Sequence, residues 1–134
     1  MATHKASAVT IDEFELLRGR NAAGALLATT LMILSARRKF IHPGSVLHDQ
    51  VIARSATASK YAKTVQDVIF YTIYGLHGIE TVYFALTKLK KHNVKIFSPV
   101  WFQWIIAVFL GGTFAQKHFD EVVETKEIKT IKEI

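Results

Sequence analysis

The apolar positions of this chain gather into three long runs, and the polar positions gather between them. Asn21 to Ala36 carries no charged residue over sixteen positions. As a helix it covers about 24 Å, short of a hydrocarbon core of about 30 Å. Snorkelling of Arg18 and Arg20 extends it back to Leu16 and predicts a first span over 16–36. Val65 to Leu86 is apolar apart from Asp67, His77 and Glu80, and predicts a second span over 65–86. Ile96 to Gln116, bounded by Lys95 and Lys117, predicts a third over 96–116. Ser98-Pro99 suits the first turn of that helix, where a missing amide has no intrahelical partner to lose, and Trp101, Phe102 and Trp104 suit a membrane interface. The pattern predicts one all-α domain over residues 1–134: an integral membrane helical bundle with three transmembrane helices.

The stretches between the runs carry their own signals. Thr10-Ile11-Asp12-Glu13 has capping-box spacing, so a helix is expected to start near Ile11 and run into the first span. Residues 37–64 read as a polar connector in which His42-Pro43-Gly44 stops a helix; from His48 to Lys63 a surface helix and a flexible loop both fit. Residues 117–134 mix acids and lysines at i,i+3 spacing and predict a charged C-terminal helix or tail, solvated rather than a module of its own. Three spans would leave the two ends on opposite faces. The connector and tail carry ten basic residues against seven in the other two polar segments, which favours a cytosolic connector and tail.

Composition narrows the partners. Half the residues are hydrophobic and 21% are charged, a combination consistent with charges segregated from the apolar runs. The net charge of +6 comes from residues that flank those runs, as at Arg37-Arg38-Lys39 and at Lys88, Lys90, Lys91 and Lys95. Anionic lipid headgroups explain that placement better than nucleic acid, which is not expected as a partner. With no cysteine in the chain, disulfides, thiolate metal sites and catalytic thiols are excluded. Residues 1–20 have neither a signal-peptide core nor a transit-peptide composition, so the first apolar run is expected to stay as an anchor.

His77 and Glu80 are the ionisable pair deep in a predicted span. Three residues apart, they share a helix face on which Tyr74 and Tyr83 extend the row. Such groups are costly in hydrocarbon unless paired or hydrated, so the row is the candidate site, with His77, Glu80 and Tyr83 as the candidate residues. Proton transfer between imidazole and carboxylate is one reading. Metal ligation is a second, with His42, His48, His92 and His118 as the remaining donors; no metal or other cofactor is expected, because no HExxH and no second intramembrane histidine accompanies the pair. Interhelical hydrogen bonding is the third, with Gln103 and Thr113 or Thr29 and Thr30 as partners for Glu80. Small residues at Gly24 and Ala28, at Gly75 and Gly78, and at Ala107, Gly111 and Ala115 would let the helices approach closely.

From Val68 onward, His77-x-x-Glu80-x-x-Tyr83, a short Lys-rich loop, and Trp101-Phe102 followed by Gly111 resemble the transmembrane protein 254 family, small membrane proteins with a domain of unknown function. The likeness covers about Val68 to Gly111. It implies a membrane protein of the endomembrane system, the endoplasmic reticulum first, and it supplies no activity. The expectation is therefore a multi-pass, non-enzymatic accessory or lipid-environment protein. Its expected partners are membrane lipid and either another membrane protein or a second copy of the chain. The alternative is a small membrane enzyme or carrier for a lipid or sterol, using His77 and Glu80 as acid and base.

Overall fold

A computed structural model describes residues 9–132. Every regular element among them is helical: α1 (Gly19–Ala36), α2 (Val46–Gln50), α3 (Ala56–Phe84), α4 (Pro99–Gly111) and α5 (Thr113–Lys132). Single 3-10 turns at Arg38–Phe40 and Ile52–Arg54 punctuate the connector, and a π turn, Ala85–Leu89, continues α3. The expected all-α class is observed. Among the described residues, no helix is long and apolar enough to cross a membrane.

The first helix starts later than the capping box suggests. Residues 9–18 are a non-helical strap, and Gly19, at φ +61°, turns the chain into α1. Ile11 is 1% exposed and joins the core, while its amide donates to the carbonyl of His92. Trp104 Nε1 donates to the Glu13 carbonyl and His118 Nε2 to the Glu15 carbonyl. Side chains thus take the backbone acceptors that a helix would have used, and burial of Ile11 and Phe14 against Trp104 outweighs the local helical signal.

The second helix starts earlier than expected. Ser55 caps it, its hydroxyl accepting from the Ala58 amide, so residues 56–64 belong to α3 rather than to the connector. The rest of the connector folds into short turns around the buried side chains of Ile41 and Ile52.

The third predicted span is folded in two. α4 ends at Gly111, and Gly112 adopts φ 54°, ψ −130°, a conformation open in practice only to glycine. α5 then runs back along α4, setting the Trp104 ring 5.7 Å from His118 and 4.8 Å from Phe119. This reversal brings Lys126 within 2.8 Å of Asp12 and Glu121 to Asn21. The two ends of the described chain therefore meet at one end of the bundle, not on opposite faces. α5 is not simply a solvated tail either: Ala115, His118, Phe119, Val122 and Val123 form a buried stripe at helical spacing.

The core sits at this end. Phe84, Leu89, Trp104 and Phe119 are fully buried, with the Phe119 ring edge-on to both Phe84 and Trp104. Phe84 and Leu89 lie five positions apart, the spacing at which a π turn returns to the same face. Glycines allow the close crossings: a Cβ on Gly24 would fall 2.4 Å from the Phe114 ring, and one on Gly111 would fall 3.1 Å from Ala25. Gly75 and Gly78, by contrast, have nothing within 4 Å of where a Cβ would stand, so the expected close packing there is not found.

Candidate functional site

The helical reversal at Gly112 creates a local problem. The last carbonyls of α4 have no intrahelical partner, and the reversal lies inside the bundle, where Gly111 and Gly112 are buried. Side chains of the flanking helices supply the donors. His77 Nδ1 donates to the Phe109 carbonyl at 2.7 Å, which requires the proton on Nδ1. The Thr29 hydroxyl of α1 lies 2.8 Å from the Ala25 carbonyl and 3.3 Å from that of Leu110. Across the break, the Thr113 hydroxyl donates to Glu80 Oε1 at 3.1 Å.

His77 and Glu80 thus hold the two sides of one hairpin from a single face of α3. Their i,i+3 spacing matches the step from the end of α4 to the start of α5. The fit is close: a Cβ on Gly112 would stand 2.6 Å from His77 Nε2. Tyr74 extends the row as expected, donating from its hydroxyl to the Met32 carbonyl of α1 at 2.9 Å and packing on Phe70 and Phe109. Tyr83 does not join it; its side chain is 63% exposed. Of the partners proposed for Glu80, Thr113 is the one found, while Thr30 turns to its own helix at Leu26 and Gln103 is exposed.

The other histidines are not brought together around the pair. His92 Nδ1 donates to the Val9 carbonyl and His118 Nε2 to that of Glu15, each at 2.7 Å, so both pin the strap. His48 Nδ1 lies 3.0 Å from Asp49 in the connector, and that contact, together with a hydrogen bond donated by the Gly44 amide, holds the Asp49 carboxyl below its ordinary range. Among the described residues, no group of three or more His, Asp or Glu side chains is arranged to hold a metal ion.

A second polar cluster, outside the row on α3 that the sequence marks, joins Gln66, Arg38 and the end of α1. Gln66, 4% exposed, donates to the carbonyls of Leu34 and Arg37 at the end of α1. Arg38 bridges Gln66 and Asp67, and hydrogen bonding to Asp67 raises the guanidinium above its ordinary value. The available signal was positional: Arg37-Arg38 closes one apolar run and Gln66-Asp67 opens the next.

Compared with protein-family models, curated proteins and solved structures, the chain matches none.

Proposed function

We propose that this is a membrane-embedded, non-enzymatic helical protein of the endomembrane system, in which His77 and Glu80 lock a helical hairpin rather than process a substrate. The observation that carries the reading is the outer face of α3. From Val68 to Leu86 the exposed residues include Val68, Tyr71, Leu76, Ile79, Val82, Tyr83 and Leu86, and none carries a formal charge. At about 1.5 Å per residue that face is about 27 Å long, close to a hydrocarbon core of about 30 Å. Within this stretch the titratable groups His77 and Glu80 are engaged by the Phe109 carbonyl and the Thr113 hydroxyl.

α1 repeats the pattern, exposing Leu26, Leu27 and Ile33 between Arg20 and Arg37. An exposed apolar surface this extensive is unusual on a protein surrounded by water. At the packed end, Phe97 is 71% exposed at φ +65°, beside Ile96 and Lys95 and against the Trp101 and Phe102 rings. Aromatic and basic side chains so grouped suit the headgroup boundary. The endoplasmic reticulum as the particular membrane follows from the resemblance of residues 68–111 alone.

Alkaline carbonate extraction tests the reading: the chain is expected in the membrane pellet, and recovery in the aqueous fraction would overturn it. Ile79→Lys sharpens the test. On a water-facing surface it is nearly silent, whereas on a lipid-facing helix it costs about 2.5–3.5 kcal/mol and is expected to lower the inserted fraction. The non-enzymatic part is tested by Glu80→Gln, which keeps an acceptor for Thr113. Membrane insertion and cellular function are expected to survive it; loss of function with unchanged abundance would favour the acid/base alternative.

A further inference from the structure

The end of the bundle away from the aromatic core is open. Between α1, α3 and the connector lies an apolar cavity of about 470 Å³, walled by residues such as Leu34, Ile41, Ile52, Val65 and Ile69. Beside it, sharing Ile41, Ile52 and Ala62, is a cavity of about 290 Å³ with a different lining: His42, His48, Ser59 and Lys63. Both volumes are of the order of small-molecule sites, about 300–1,000 Å³. An apolar chamber beside a polar, basic one suits an amphiphile.

Length and charge name the class. The α3 wall of the apolar cavity runs from Thr57 to Ile69, about 18 Å along the helix axis, long enough to line part of an acyl chain. Residues 37–64 hold six Lys and Arg side chains and one acid, Asp49. Asp49 is engaged by His48 and the Gly44 amide, and Arg38 is engaged by Asp67 and Gln66. Lys63 makes no ion pair within the described residues.

We propose that this end binds one phosphate-bearing membrane lipid, an acyl chain lying in the cavity between α1 and α3 and the phosphate seated at Lys63, His42 and His48. The proposal rests on the membrane reading for its supply of lipid, and it identifies which lipid chemistry the protein selects. Lys donates to phosphate as a point charge, and the imidazoles add donors without requiring a fixed headgroup shape.

Native mass spectrometry of the full chain, purified in detergent and stripped of lipid, tests it with phosphatidic acid and phosphatidylcholine of identical chains. Phosphatidic acid is expected to be retained as a single copy in preference to phosphatidylcholine. Lys63→Glu is expected to cut that preference about fivefold or more, the scale of one basic side chain at an anionic headgroup. Ala58→Trp, which fills the apolar cavity, is expected to abolish retention of both lipids with helicity unchanged by circular dichroism. If that variant loses helicity, Ala58→Leu carries the same test.

Millimolar inorganic phosphate is expected not to displace the lipid. Equal retention of the two lipids, no retention, or unchanged retention after the cavity is filled would overturn the proposal, as would full displacement by phosphate alone. Flotation of the same preparation with vesicles separates the two readings. Chain that floats without selecting a lipid refutes this site only; chain that does not float refutes the membrane reading beneath it.

Discussion

Both ends of this bundle are lined by apolar side chains, and they reach opposite results. At one end, Phe84, Leu89, Trp104 and Phe119 leave no exposed surface, and the strap from Val9 to Arg18 is pinned across them by His92, Trp104 and His118. At the other, Leu34, Ile41, Ile52, Val65 and Ile69 surround space instead of each other. The difference lies in what crosses the two long helices. The packed end receives the α4–α5 hairpin and its aromatic rings, whereas the open end receives short turns that bring only a few aliphatic side chains. Filling of a core depends on supply of large side chains from a third direction, not on the hydrophobicity of the two main helices.

Truncating one large side chain at each end separates the two most strongly. Phe119→Ala is expected to cost about 3–5 kcal/mol, whereas Ile69→Ala on the wall of the open cavity is expected to cost less than about 2, because its neighbours already lack contacts on one side. Denaturant titration in micelles, read by tryptophan fluorescence, checks both; equal costs would mean the two ends are equally packed. Glycines sharpen it next. Gly112→Ala forces a side chain into an unfavourable backbone region and against His77, and is expected to cost about 1–3 kcal/mol or more. Gly75→Ala, in open space within α3, is expected to stabilise by up to about 1 kcal/mol.

The hairpin clamp gives a smaller contrast. His77→Ala leaves the Phe109 carbonyl without its donor and is expected to cost about 1–3 kcal/mol, while Glu80→Gln is expected to stay within about 0.5, in the same titration. The smallest effect is at the strap. Hydrogen bonding and charge from Lys126 lower the Asp12 carboxyl. A lowered folded value means the contact contributes fully above the ordinary carboxylate range and is lost as pH falls through the lower folded value, below about pH 4. Amide exchange of the Ile11 region is expected to quicken there, and Lys126→Ala is expected to remove that pH dependence.

Several features were legible from the residues. The apolar runs coincide with α1, most of α3 and the start of α4, because long stretches free of helix breakers suit continuous helix whichever way their apolar side chains face. His77 and Glu80 are legible as polar groups needing partners, and Thr113 meets Glu80 as its place in the third apolar run allows. What misled was continuity. Twenty-one apolar residues from Ile96 to Gln116 read as one helix, yet Gly111-Gly112 allowed a reversal that the burial of Phe119 against Trp104 rewards. The capping box at Thr10 failed for a related reason: Ile11 had a better place in a core whose other walls come from more than seventy residues away. Gln66 was invisible because a single glutamine has no period, and its role depends on where another helix ends.

The π turn at Ala85–Leu89 resets the angular phase of α3. In an unbroken α-helix the position returning beneath Phe84 would be Lys88, and an ammonium would stand among the aromatic rings. One additional residue in the turn gives that place to Leu89 and swings Lys88 to the rim, where it meets Asp120 at 2.9 Å. The helix therefore carries two registers, one for the long apolar face before Ala85 and one for the aromatic core after it. Deleting a single residue such as Thr87 would merge them into one α-helix that leaves Leu89 four positions after Phe84, still beneath its ring.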